Sequence, residues 1–359
     1  MKEIGRRAGQ GLRGSRAPSL LGDTLDTGAA FVTTVAAPDR FPLVAGRRAA
    51  ALVVSSSDFP GVIRVVGDLQ ADIESVTGVR PAMSLDDPTV GDAVIVGTVG
   101  RSPLIDRLIA AHKIDVSEIA GKWETSLQQV VQDPMPGVGR ALVIADSDHR
   151  GTIYGAYEVS RQTGVSPWHY WDDVEPQHRK QLYVLPGRHS QGTPAVKYRG
   201  LFINDENPDT GTWAPATFGP SLAPGHPDGL NHHYWEKVFE ALLRLKGNYL
   251  WPATWGRAFA LDDPENHATA TRYGVLIGTS HEAPMMRGIE EWNRFATAGS
   301  DPYGGIGEWS YRRNPAALEQ YWTEGIERLV GQGIDGLVTV GMRGSTMSAW
   351  AATTSGWTR

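Results

Sequence analysis

RGLFINDENP (Arg199–Pro208), LRLKGNYLWPATW (Leu243–Trp255), IGTSHEAPMMR (Ile277–Arg287) and VTVGMRG (Val338–Gly344) share one grammar. In each, a short apolar run (Leu201–Ile203, Tyr249–Trp251, Val275–Ile277 or Leu337–Val340) hands over at once to polar, charged or aromatic side chains. Short apolar runs read as buried strands, and helical spacing fills the intervals. His232–Lys246 sets Trp235, Val238, Phe239 and Leu242 on one face, with Gly247 expected as a left-handed residue past its end. From Pro315 to about Val330 a second helix is expected, with Asn314 as N-cap and Leu318, Trp322, Ile326 and Leu329 buried. Strand alternating with helix implies parallel strands, and in a β/α barrel the residues past their carboxyl ends line the site. The spacing therefore predicts a partial (β/α)8 TIM-type barrel of about four βα units. Its site candidates are Asn204, Asp205, Glu206, Trp255, His281, Glu282 and Arg343.

Upstream, the pattern is also α/β. Ala50–Ser55, Ala93–Gly97 and Ala141–Ala145 are buried-strand runs. They alternate with helical stretches at Phe59–Thr77 (Val62, Val66, Leu69, Ile73, Val76), around Leu104–Ala111 and at Gly151–Thr163, the last after a turn at Asp146–Asp148. This predicts an N-terminal α/β sandwich over residues 46–190. Ser190–Gly192 and Pro194 mark its boundary, and residues 195–359 form the barrel part. Residues 1–45 are expected to be a disordered leader, since Lys2, Arg6, Arg7, Arg13 and Arg16 come without the apolar core of a secretory signal. The Pro- and Gly-rich residues 215–230 predict a long functional loop after the first barrel strand.

The 359 residues carry a net charge of −6 with both signs dispersed, which argues against a nucleic-acid partner. No apolar run approaches the roughly 20 residues needed to span a bilayer, so no membrane partner is expected. The absence of cysteine excludes thiolate chemistry without fixing a compartment. Of 12 tryptophans nine follow residue 200, and flat aromatic faces suit the C–H faces of sugars. Trp213 and Trp255 are candidates for such stacking, while Trp251 reads as core. VGTVGRS (Val96–Ser102) sits between a strand and a helix but lacks both phosphate-loop signatures. His226, His232, His233 and Asp228 have no metal-ligand spacing. No cofactor and no metal are expected.

The motifs F-x-N-D-E, L-L-R-L-K-x-N-Y-L-W-P-A-x-W, G-T-S-H and G-M-R-G occur in one order, and GTIYGAYEVSRQTGVSPWHYWDDV (Gly151–Val174) precedes them. Together they resemble glycoside hydrolase family 115, the xylan α-1,2-glucuronidases, over about Ala50 to Gly344. The resemblance implies a glycosidase that removes glucuronic acid, or its 4-O-methyl form, from glucuronoxylan or its oligosaccharides. It implies inversion of configuration, with two carboxyl groups about 6.5–9.5 Å apart, and a homodimer in full-length relatives. Catalysis falls to the adjacent carboxylates Asp205 and Glu206. Successive strand residues point to opposite faces, so Asp205 is expected in the pocket, with Glu206 capping a neighbour or pairing with a base such as Arg199. Asn204, Trp213, Trp255, His281, Glu282 and Arg343 would bind substrate, Arg343 by gripping the uronate carboxylate in two-point fashion.

The chain departs from the family pattern in two places. Glu282 and Ala283 stand where a second His and a later Glu are common. Ser345–Ala349 (STMSA) replaces an acidic cluster after G-M-R-G that supplies a catalytic carboxylate. The alternative is therefore a truncated, catalytically inactive fragment, or a carbohydrate-binding relic of the family.

Overall fold

A computed structural model of the protein describes residues 29–87, 91–203, 209–252, 256–281 and 283–342. The chain begins with β1 (Val32–Thr33), β2 (Phe41–Ala45), β3 (Arg48–Ala49) and β4 (Ala51–Val54), then α1 (Pro60–Thr77), β5 (Met83–Leu85), β6 (Gly91–Thr98) and α2 (Pro103–Ala110). It continues with β7 (Ser126–Met135), β8 (Val138–Asp146), α3 (His149–Thr163), β9 (Leu182–Val184) and β10 (Arg188–Gln191). The remainder is β11 (Gly200–Phe202), α4 (Asp209–Phe218), α5 (His232–Arg244), β12 (Tyr249–Trp251), α6 (Phe259–Asp262), α7 (Glu265–Tyr273), β13 (Leu276–Ile277), α8 (Ile289–Trp292) and α9 (Pro315–Gly331).

Three sheets result. β10-β7-β8-β6-β4-β5 form a six-stranded mixed sheet, with β8, β6, β4 and β5 parallel. Its three central strands are apolar on both sides because each side is covered. Leu52, Val54, Val94, Val96, Leu142 and Ile144 face α1 and α3, while Val53, Ala93, Ile95, Ala141, Val143 and Ala145 join Leu104, Ile105 and Leu108 of α2. A four-stranded antiparallel sheet, β1-β9-β2-β3, buries Phe41 and Leu43 against the first of these cores. The third sheet is β11-β12-β13, all parallel, with Leu250 and Ile277 buried. Its helices α5 and α7 pack into the same core as α1 and α3 through Trp235, Phe239, Leu242 and Ala270.

Helix α3 and Glu124, two residues before β7, join these layers. Each βα unit enters the parallel sheet near a residue that they hold. Arg199 donates to the buried Glu124 at 2.5 Å, and Asn248 donates to the same carboxylate at 2.6 Å. The Tyr154 hydroxyl donates to Gly247 O at 2.9 Å, and Lys246 donates to Glu158 at 2.9 Å. Arg150 donates to Gly274 O at 2.7 Å and pairs with Asp335. Asp148 caps α3 through Gly151 N at 2.8 Å and also accepts from Glu124 N at 2.6 Å. Alongside, Arg244 of α5 and Asp72 of α1 form a two-point ion pair at 2.8 and 3.1 Å, both side chains buried.

Several sequence expectations need correction. Within the leader expected over residues 1–45, β1 and β2 are strands and Phe31 and Phe41 are core, while residues 1–28 lie outside the described residues. β7 was not expected, since SLQQVVQDPM mixes Gln with Val and gives neither a clean alternation nor an apolar run. Part of the loop expected over 215–230 is helical, as α4 runs through Pro215 to Phe218. Gly247 is not the left-handed residue after α5. Lys246 takes that conformation (φ 59), and Gly247 is required by space, since a Cβ there would lie 2.4 Å from Leu242. Asn314 does not cap α9 with its side chain, which donates to Asp301 at 2.8 Å and to Glu308 O. The buried face of α9 is Ala317, Leu318, Tyr321 and Gly325, with Trp322, Ile326 and Leu329 only half-buried. The strand expected at Leu337–Val340 reduces to a single parallel bridge, Ile277 to Gly336, extended by Leu337 N to Ile277 O at 3.1 Å. Arg199 pairs with Glu124, and Glu206, the partner expected for it, lies outside the described residues. No helix among the described residues is long and apolar enough to cross a membrane.

Two measurements test this packing. Asp72→Ala leaves the Arg244 guanidinium buried without its main partner and should cost about 3–5 kcal/mol, read as a lower urea midpoint. Asp146, at the end of β8, is fully buried beside Asp148, and burial pushes its carboxyl up to about 8, against a hydrogen bond from Thr125. It folds protonated, so its contribution to stability is whole below the unfolded value of about 4 and is lost as pH rises towards about 8. Thermal melts across that window should fall less steeply for Asp146→Asn than for the native chain.

Candidate functional site

The parallel strands all run the same way, so Ile203, Pro252 and Thr279 leave the sheet on one side, opposite the side held by α3. Ile203 N donates to Trp251 O at 3.1 Å and Gly278 N to Leu250 O at 2.9 Å, carrying the ladder to the strand ends. Gly278 is fixed by space: the Tyr249 hydroxyl sits 1.8 Å from where its Cβ would be, and that hydroxyl accepts from the Trp251 indole. Segment 335–339 follows β13. Thr339 donates its hydroxyl to Thr279 O at 2.6 Å and accepts from Met285 N at 3.0 Å.

The turn after β13 is tightly wound. Ala283 N donates to Ser280 O at 3.0 Å, and Thr279 Oγ1 donates to Ala283 O at 2.6 Å. Met285 (φ 51) and Met286 (φ 66) both adopt the left-handed region, which costs about 1–3 kcal/mol per residue and persists only where neighbours enforce it. The enforcing groups are ionic. Arg328 donates to Met286 O at 2.9 Å and to both oxygens of Glu291 at 3.1 Å. Arg287 donates to Glu291 at 2.6 Å and to Glu324 at 2.7 Å, with its guanidinium 3.9 Å over the Tyr321 ring.

Between this turn and the β12–α7 connection lies a cleft. Pro252, Phe259, Ile277 and Met286 are its apolar lining, and Arg257, His267, Thr279, Glu290 and Glu291 its polar lining. Arg257 is held by Asp228 at 2.8 Å. His267 is buried, its ring edge-on to Phe259 at 4.8 Å, and its Nδ1 has no hydrogen-bond partner among the described residues. Burial, with the Arg328 charge adding, pushes its pKa down to about 3, so the imidazole is neutral. A cleft with a fixed guanidinium, a neutral imidazole, a hydroxyl and carboxylates can hydrogen-bond a polyhydroxylated, anionic ring.

Among the sequence candidates, His281 lies in the turn after β13, exposed at the mouth of this side of the sheet. Trp213 lies on α4 and does not line the cleft. Trp251 is half-buried against Phe202 at 5.5 Å. Asn204, Asp205, Glu206, Trp255, Glu282 and Arg343 lie outside the described residues. Arg257, His267, Glu290 and Glu291 were not read from the sequence. The i, i+4 pair Arg287–Glu291 was the available signal, but nothing in ENHATATRY marks His267 as facing a cleft. The loop histidines are otherwise engaged: His232 bonds Asp263 at 2.6 Å, and His233 lies 3.6 Å from Glu236. Among the described residues no group of three or more His, Cys, Asp or Glu could hold a metal ion.

A mixed α/β architecture with a polar cleft past the ends of parallel strands is the setting of many β/α enzymes. Residues 191–356 match the model of glycosyl hydrolase family 115. The structure of a family GH115 4-O-methyl-alpha-glucuronidase with specificity for decorated arabinogalactans superposes with a TM-score of 0.69 at 33% identity. That superposition covers 85% of this chain and 36% of the other, so the chain spans about a third of that relative's length. A chitobiase from Flavobacterium johnsoniae aligns over 90% of this chain and 45% of its own, at 12% identity and a TM-score of 0.46, too remote to carry an argument. No curated protein matches the chain. The chain belongs to glycosyl hydrolase family 115.

The neutral state of His267 is testable. Its folded pKa lies below the unfolded value of about 6.5, so the stability it contributes is present above that value and is lost as pH falls towards about 3. His267→Gln should lose less melting temperature between about pH 6.5 and about pH 4 than the native chain does.

Proposed function

We propose that this chain carries the glucuronosyl-recognising part of a glycoside hydrolase acting on glucuronic acid side chains of plant polysaccharides. The family 115 match is the observation that carries this reading, and the polar lining of the cleft beyond β12 and β13 supports it. The three parallel strands and the bridge at Gly336 are the first units of a (β/α)8 barrel in this reading. Asp205, with Glu206 beside it, supplies a catalytic carboxylate, and the mechanism is inverting, with a water between two carboxyl groups. Asn204, Trp255, His281 and Glu282 bind the sugar, and Arg343 clamps the uronate carboxylate by two parallel charge-assisted bonds. The polymer is glucuronoxylan. A glucuronidated arabinogalactan is the other substrate to try, because the relative at 33% identity is specific for decorated arabinogalactans.

A second reading, recognition without turnover, is favoured by one observation: STMSA at Ser345–Ala349 offers no acid after G-M-R-G. Loss of a general acid or base lowers the rate by about 10²–10⁴-fold. The test is release of glucuronic acid from glucuronoxylan and from glucuronidated arabinogalactan, alongside calorimetry with free glucuronate. Binding with release slower by about that factor than in full-length relatives is expected, and Arg343→Ala should weaken glucuronate about tenfold or more. Absence of glucuronate binding in the folded chain overturns both readings, whereas release at the relatives' rate overturns the second.

A further inference from the structure

A shelf of aromatic rings built on the first turn of α5 shares no lining residue with the cleft and is linked to it through Trp235, which touches Tyr234 at 4.9 Å and the cleft's Phe259 at 5.2 Å. Tyr234 is buried there and gathers Trp171 at 6.1 Å, Trp213 at 6.4 Å and Phe218 at 5.8 Å, all edge-on to tilted. Above it, Trp213 and Tyr170 flank Phe218 at 5.5 and 6.3 Å. Trp213 is 46% exposed and Tyr170 37%. Trp171 is fixed twice, by its indole N–H to Lys237 O at 3.2 Å and by edge contact with Tyr170 at 5.3 Å.

Rings braced by other rings give up little side-chain freedom on binding. Contiguous exposed aromatic surface on a rigid support marks a binding surface. Its chemistry narrows the ligand. The one cation on the shelf among the described residues, Lys237, lies 5.0 Å over the Tyr170 ring and is compensated by Glu240 at 3.3 Å. An uncompensated charge to draw a polyanion is therefore missing there. What remains are two exposed rings, Trp213 at 84° and Tyr170 at 42° to the half-buried Phe218 between them, a twisted pair that suits sugar rings with apolar C–H faces and hydroxyl edges. The position narrows it further. α4 follows β11 and α5 runs back from its first turn towards the start of β12, so the shelf lies on the side where β11 and β12 end.

We propose that Trp213, Tyr170 and Phe218 form a platform that stacks the neutral backbone of a polysaccharide while its acidic branch reaches the cleft. The proposal rests on the glycosidase reading above, and it assigns the sugar-stacking role expected of Trp213 to the backbone.

Affinity electrophoresis of the full chain in gels holding uronate-free xylan or uronate-free arabinogalactan tests it. The native chain should be retarded by at least one of them. Trp213→Ala with Tyr170→Ser should weaken that association about tenfold, and Trp213→Phe with Tyr170→Phe should restore most of it. Tyr170→Ser alone, at the outer edge of the shelf, is the second variant should loss of Trp213 unfold the chain, and it too should weaken retardation. Matching melting curves make the comparison valid. No retardation of the native chain by either polymer overturns the proposal, as does equal retardation of native and variant chains. A dimer in sedimentation that the double variant dissociates, without glycan binding, also overturns it and makes the shelf an interface between two copies. Failure to bind free glucuronate while the shelf still binds backbone counts against the glucuronosyl reading and leaves the platform standing.

Discussion

Glu124 is 3% exposed, and both its carboxylate oxygens are engaged by the segments that lead into the three-stranded parallel sheet, one by Arg199 and one by Asn248. A buried carboxylate is tolerated only where its charge is paired and its lone pairs are bonded. Here the satisfying groups come from the lead-ins to the first two parallel strands, so β11 and β12 are brought together by the requirement to neutralise one acid. Asp148 holds Glu124 from behind, through its backbone N–H, while capping α3. The same helix sends Tyr154 to the lead-in of β12 and Arg150 to the lead-ins of β13 and of the Gly336 bridge. One helix of the N-terminal layer thus sets the register at which four segments enter the parallel sheet.

That arrangement decides where chemistry can occur. With the amino ends of the strands closed against α3, their carboxyl ends are left to loops, and the cleft forms there. Its wall is not a relaxed loop. Two consecutive methionines are held in the left-handed region by Arg328, whose other bonds go to Glu291, which Arg287 also grips. The ionic cluster thereby fixes the turn that carries His281 and brings positive charge close to His267. Burial and that charge together keep the imidazole neutral. The ionic pairing of α8 with α9 thus fixes the turn and adds its charge to the burial that keeps His267 neutral.

Periodicity and motif order determined much by themselves. The central strands at 50–55, 93–97 and 141–145 were legible because a strand covered on both faces must be apolar at every position. The order of the four strand-plus-polar units, and the family they resemble, were legible because the residues that follow a parallel strand have distinctive chemistry. Their side-chain partners were not. Arg199 was expected to serve Glu206, whereas Glu124, 75 residues earlier, belongs to no motif and only the fold brings it to 2.5 Å. β7 escaped because its glutamines break the apolar pattern, and its strand character comes from antiparallel pairing with β10 on one side and β8 on the other. The fourth strand narrowed to a bridge because its ladder runs through Ile277 alone before Thr339 turns to the 279–285 loop. His267, Arg257 and the shelf around Tyr234 belong to no motif. They acquire meaning only when helices distant in sequence set them beside a cleft or leave their rings in water, and that is decided by which faces the core can bury.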